Sequence, residues 1–177
     1  MTFKTPDLCD EFEVELGKTV RVVAPMFQRY GCRNSFSGEI VTLKVFEDNS
    51  LVREAFAGDG SGKVLVIDGG GSLRCALLGD MLAELGTRNG WAGVVIHGCV
   101  RDTAELARLP LGVRALASNP LRSAKLGHGQ RDVGAAERLG DLLKRHPANR
   151  VYLVFDPGDG LEEGLLLRRM GPGAQQS

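Results

Sequence analysis

The chain has 177 residues, 43% of them hydrophobic and 25% charged, a balance that fits an ordinary soluble globular protein and excludes a disordered or fibrous one. Lysine plus arginine equal aspartate plus glutamate at 22 each, so no net field recommends direct contact with nucleic acid or an anionic membrane. No apolar run approaches the roughly 18 residues of a membrane span, the N-terminus lacks a signal-peptide pattern, and the expected location is the cytoplasm.

In chain order, residues 6–16 predict a short helix capped by Asp7, with Leu8, Phe12 and Leu16 on one face and Gly17 as its stop. Residues 38–46 alternate branched and polar side chains, as a half-buried strand does. A turn at 47–50 then opens a helix from Ser50 to about 57. After a glycine-rich loop at 58–62, the apolar run Val64-Leu65-Val66-Ile67-Asp68 stops at Gly69-Gly70-Gly71 and predicts a buried strand. Asp80-Met81-Leu82-Ala83-Glu84-Leu85 has helical spacing, opens at Gly79-Asp80, and has Gly86 and Gly90 as stops. Further strands are expected at 93–96, 113–117 and 151–155, and a charged helix at 134–146. Strands alternating with short helices give an α/β class. One domain is expected over residues 1–170, with a flexible tail at 171–177.

Several residues can carry chemistry. The first turn of the helix at Gly79 leaves backbone amides without intrahelical acceptors, and they suit a carboxylate. Asp80 either serves such a site or caps its own helix. Arg101-Asp102 follows a strand directly, where α/β sheets place ligand groups. The arginine fork suits a substrate carboxylate, and the aspartate suits a hard divalent ion such as magnesium. Asp102-Thr103-Ala104-Glu105 also matches an acidic capping box, and that alternative stays open. Gly69-Gly70-Gly71 lacks the spacing of a nucleotide loop. It is read as close-approach or positive-φ backbone that directs Ser72 and Arg74 toward a neighbouring element. His97 is read as a hydrogen-bonded core or near-site residue, His128 and His146 as solvated. Cys9, Cys32, Cys75 and Cys99 form no metal or redox pattern, and Cys99 is read as packing.

These residues, together with Leu8-Cys9-Asp10, Pro25-Met26-Phe27, Tyr30-Gly31, Phe46-Glu47-Asp48-Asn49, the run from Val64 to Leu77 and Gly93-Val94-Val95-Ile96-His97-Gly98, closely resemble the family of the regulator of ribonuclease activity A and the 4-hydroxy-4-methyl-2-oxoglutarate aldolases. The likeness runs from about Pro6 to Val133. It includes the aldolase branch's glycine-aspartate turn, an arginine-aspartate pair after twenty residues, and an acid three residues beyond. The ribonuclease-regulating branch typically lacks an aspartate in the position of Asp102.

The resemblance implies a layered α/β domain of the swivelling β/β/α type, assembled as a homotrimer. It implies that the amides of Gly79, Asp80, Met81 and Leu82 and the side chain of Arg101 hold a pyruvate carboxylate. Asp102 would bind Mg2+ or Mn2+, Asp80 would order metal-bound water and act in catalysis with Arg101, and Glu105 would complete the motif. The implied activity is divalent-metal-dependent retro-aldol cleavage of a small 2-oxo acid of the 4-hydroxy-4-methyl-2-oxoglutarate type to pyruvate, with oxaloacetate decarboxylation beside it. The alternative is a non-catalytic inhibitor of a ribonuclease E-type enzyme. No Schiff-base lysine is required, and Lys63 opens its strand on the wrong side for one. After Val133 the chain departs from the family pattern, so the acid that a neighbouring subunit supplies is left unassigned, with Glu162 and Glu163 as candidates.

Overall fold

The computed structural model describes residues 25–131 in full and the backbone pairing of residues 151–157 and 163–169. The expected helices at 6–16 and 134–146, the tail at 171–177, and Cys9, His146 and Glu162 lie outside the described residues.

The centre of the molecule is parallel sheet. β1 is Gln28–Arg29, β2 Phe36–Lys44, β3 Lys63–Asp68, β4 Ala76–Leu78, β5 Gly93–Val100, β6 Gly112–Ser118, β7 Gln130–Arg131, β8 Val151–Pro157 and β9 Glu163–Arg169. The main path runs β1-β6-β5-β3-β2-β8-β9, with β4 added to β5 and β7 to β2. The β6-β5-β3-β2 block is parallel, in register Val64↔Gly93, Ile67↔Ile96 and Ile40↔Val64, while β1, β7, β8 and β9 pair antiparallel. Strands covered on both faces need continuous apolar runs, which is why β3 and the first half of β5 show no alternation.

Three helices accompany these strands among the described residues: α1 Ser50–Ala57, α2 Asp80–Arg88 and α3 Thr103–Leu106. α1 and α2 pack on each other, and their buried residues Val52, Phe56, Leu82 and Ala83 join the core built on Leu65, Ile67, Val94 and Ile96. Phe56 meets Trp91 edge-on at 5.6 Å between ring centroids.

α2 runs through Gly86, which corrects the expectation of a stop there. A Cβ on Gly86 would lie 2.8 Å from the Phe56 ring, so this glycine is a packing contact between helices. The helix ends at Asn89, followed by Gly90 at φ +81°. The strand expected at 38–46 lies at Phe36–Lys44, and β4 was not anticipated. Among the described residues no helix is long and apolar enough to cross a membrane.

Candidate active site

The C-terminal ends of the parallel strands gather the residues that the motif singles out. β4 pairs with the end of β5, Leu78 opposite Val100, so the turn after β4 and the loop after β5 leave the sheet side by side. The Arg101 amide donates to the Leu78 carbonyl at 2.9 Å, fastening the two loops together.

Gly79 follows in extended backbone, so its requirement is steric. A Cβ there would lie 2.6 Å from Asp102 Oδ2 and 3.0 Å from Arg101 Nε. The glycine thus lets the arginine-aspartate pair press against the opening of α2. Arg101 Nε stands 3.1 Å from Asp102 Oδ2, with both side chains about a quarter to a third exposed. Asp102 Oδ2 also accepts a long 3.4 Å hydrogen bond from the Asp80 amide.

Asp102 adopts left-handed backbone, φ 54° and ψ 46°, a conformation that aspartate tolerates at a cost of about 1 kcal/mol or more. It occupies the N-cap position of α3 yet makes no side-chain cap bond there. The capping-box alternative is therefore not what this carboxylate does: it turns away from its own helix toward Arg101 and α2. Asp80 Oδ1 accepts from the Met81 amide at 2.7 Å and so serves the first turn of its own helix.

Gly79, Asp80, Met81, Leu82 and Arg101 line one cleft of about 140 Å3, small against the pockets that take drug-sized ligands and suited to a small acid. Asn49, Arg53, Ala76, Arg122, Ser123 and Lys125 complete its wall. The second group was not anticipated. Arg53, Arg101, Arg122 and Lys125 put four basic residues among those that line the cleft, against one acidic residue, Asp80. Neither Asp102 nor Glu105 is among the lining residues: Asp102 reaches the cleft only through its contacts to Arg101 and Asp80, and Glu105 sits exposed on α3.

Lys63 lies at the far, N-terminal end of β3, where its ammonium donates to the Asp59 carbonyl at 2.8 Å, as expected. Lys125, not Lys63, is the lysine among the residues that line the cleft.

No three His, Cys, Asp or Glu side chains converge into a metal cage among the described residues. A magnesium-type ion asks less of a protein: one or two carboxylates, with water and ligand oxygens filling the octahedron. Asp102 suits that role, because the two recorded contacts fall on Oδ2 and its carboxylate is part-exposed beside the cleft.

Nearby, Gly70 and Gly71 take φ +67° and +71°, and the turn they make delivers Ser72 and Arg74 to Glu47. Ser72 Oγ donates to Glu47 Oε1 at 2.6 Å and Arg74 Nε at 2.7 Å, which hold the Glu47 carboxyl below its usual range, Arg74 contributing most. His97 corrects one expectation. Its Nδ1 is buried 3.7 Å from Asp68 Oδ1, beyond hydrogen-bond range and without another partner. Cys99 is buried packing, as expected, and burial pushes its thiol pKa up.

Residues 5–138 match the family model described as "RraA-like: Aldolase/RraA". A relative from Dechloromonas aromatica (strain RCB), named "Putative 4-hydroxy-4-methyl-2-oxoglutarate aldolase", is 69% identical over 170 residues, covering 94% of this chain and 96% of its own. Two solved structures each superpose with a TM-score of 0.82. One, the RNA-processing inhibitor RraA from Thermus thermophilis, is 42% identical and covers 99% of this chain and 98% of its own. The other, titled an S-adenosylmethionine: 2-dimethylmenaquinone methyltransferase from Geobacillus kaustophilus HTA426, is 43% identical, with coverage of 99% and 100%. These likenesses bear out the layered α/β fold, and the chain belongs to the RraA-like family of aldolases and RraA proteins.

Proposed function

We propose that this protein is a divalent-metal-dependent lyase that cleaves 4-hydroxy-2-oxo diacids of the 4-hydroxy-4-methyl-2-oxoglutarate type. Relatives on this fold are named for three different activities, so the site must decide among them. The observation that carries the reading is Asp102, held in left-handed backbone with its carboxylate against Arg101 and the first amide of α2.

In this reading the amides of Gly79, Asp80, Met81 and Leu82 and the Arg101 fork bind the carboxylate beside the 2-oxo group. Arg53, Arg122 and Lys125 face the second carboxylate, which accounts for a wall richer in cations than a monoacid requires. The C4 hydroxyl loses its proton, the C3–C4 bond breaks, and its electron pair passes to C3 and the 2-oxo oxygen. Proton return at C3 completes pyruvate, and from the 4-methyl substrate the other fragment is pyruvate as well. Asp80, at the cleft mouth, orders the water that takes the hydroxyl proton. A divalent ion on Asp102 would supply Lewis-acid charge to the 2-oxo and carboxylate oxygens. Oxaloacetate decarboxylation uses the same electron flow.

The test is pyruvate release from 4-hydroxy-4-methyl-2-oxoglutarate. EDTA should abolish it, and magnesium or manganese should restore it in the wild type. Asp102→Asn should remain folded and lose on the order of 100-fold or more in kcat. Chelator-resistant turnover, wild-type rates in the variant, or borohydride trapping of substrate on Lys125 would each defeat the proposal.

A second reading is a non-catalytic partner of a ribonuclease E-type enzyme. It is supported by the likeness to the Thermus RNA-processing inhibitor RraA and by the exposed apolar side chains of Phe46, Leu73, Met81, Leu121 and Leu126. A homotrimer would draw on the same surface. Capture of the nuclease should then survive Asp102→Asn unchanged.

A further inference from the structure

Asp48 lies between β2 and α1, outside the arginine-aspartate motif in sequence, and is 1% exposed. Its Oδ1 accepts from the Ser50 amide at 2.8 Å, and its Oδ2 accepts from the amides of Leu126 at 2.6 Å and His128 at 3.3 Å. Around it, Asn49 N donates to Ala124 O at 3.2 Å, Ala124 N to Glu47 O at 2.7 Å, and Gly127 N to Ser50 Oγ at 3.1 Å. Two segments 78 to 80 residues apart in sequence are thereby joined on one carboxylate.

Each segment delivers part of the cleft wall. Asn49 and Arg53 follow Asp48 directly, whereas Arg122, Ser123 and Lys125 lie on the segment that ends in the latched amides. Apolar burial does little to hold that second segment: Leu121 and Leu126 are both more than half exposed, and only Ser123 of residues 121–128 is buried. Its position rests on polar contacts. A buried carboxylate accepting several amides is the strong form of such a contact, and an asparagine could offer only one acceptor oxygen.

We infer that Asp48 is a positioning residue, whose buried carboxylate latches residues 122–128 so that Arg122 and Lys125 face the second carboxylate of the substrate. This rests on the lyase reading above. Burial pushes the Asp48 carboxyl up, but hydrogen bonds from Ser50, Leu126 and His128 outweigh it and hold the group at about 2. The latch therefore stays ionised wherever the enzyme is assayed.

The test compares wild type with Asp48→Asn in three readouts. The KM for 4-hydroxy-4-methyl-2-oxoglutarate should rise about tenfold, in keeping with loss of a charge-assisted hydrogen bond. The inhibition constant of pyruvate, which reaches only Arg101 and the α2 amides, should stay within about twofold, the split expected when only second-carboxylate binding is lost. Amide exchange at Leu126 and His128 should accelerate about tenfold or more while β3 and β5 keep their protection. An unchanged KM, or a KM and pyruvate constant that rise together, overturns the inference. Should Asp48→Asn fail to fold, Ser50→Ala removes the Gly127 contact and the hydroxyl's own hydrogen bond to Asp48 while leaving the carboxylate in place, and it should raise KM about two- to fivefold with pyruvate inhibition unmoved. No change there overturns the latch as well. A wild-type protein without lyase activity defeats the lyase reading instead, and unchanged exchange at Leu126 and His128 then overturns the latch independently.

Discussion

Gly79 does its work through an atom it lacks. Its backbone is extended, so any residue could adopt it, but a Cβ would collide with Asp102 Oδ2 at 2.6 Å and crowd Arg101 Nε at 3.0 Å. Gly79→Ala should therefore displace the pair from the α2 amides. Steady-state kinetics should show kcat/KM down about tenfold or more, the scale of a 1 Å misplacement, with a melting temperature within a few degrees of wild type. Full activity in Gly79→Ala would mean that the pair does not need its contact with the turn. A second residue-scale expectation concerns acid. The folded Asp48 carboxyl titrates at about 2 against an ordinary 3.8, so its contribution to stability is complete above about pH 4 and is lost as pH falls toward 2. Urea unfolding of wild type and Asp48→Asn between pH 5 and 2 should show the gap between them closing across that window; a constant gap would contradict it.

At the scale of elements, the α1–α2 contact decides how firmly the Gly79 turn is held. Gly86 lies inside α2 where alanine would favour the helix by about 1 kcal/mol, but its Cβ would sit 2.8 Å from Phe56. Overpacking should win, and Gly86→Ala should destabilise by about 1–3 kcal/mol in denaturant unfolding. Stabilisation would show that Phe56 yields easily. The periodicity of Leu82, Ala83 and Leu85 made α2 legible, and Val64 to Ile67 made β3 legible, because both signals are local. The role of Gly86 was not, since a glycine that ends a helix and one that admits a neighbouring ring look alike in one dimension. β4 escaped notice because three buried residues, Ala76, Leu77 and Leu78, give neither alternation nor length. Arg101-Asp102 was legible as a motif, but the turn of Asp102 away from its own helix depends on left-handed backbone that no spacing reveals.

Over the whole molecule, a formal charge of zero conceals an uneven distribution. Arg53, Arg101 and the Arg122–Lys125 segment are far apart in sequence, and apart from Arg101 each cation alone reads as a solvated charge. The parallel block of β2, β3, β5 and β6, together with the Asp48 contacts, is what gathers them on one cleft. A dianionic substrate should feel that local field. Its KM should rise several-fold between about 20 mM and 200 mM salt, as the Debye length shrinks through about 10 Å at 0.1 M. A salt-independent KM would argue that the outer cations take no part. The same surface leaves Phe46, Leu73, Leu121 and Leu126 more than half exposed.

The central claim is that the Arg101-Asp102 pair and the α2 amides together clasp a chelated 2-oxo acid. A crystal structure with pyruvate and magnesium tests it most directly. The ligand carboxylate should lie within hydrogen-bond distance of the amides of Asp80 to Leu82 and of Arg101, with the ion on Asp102. Pyruvate bound elsewhere, or Asp102 without the ion and turned back to cap α3, would contradict the account.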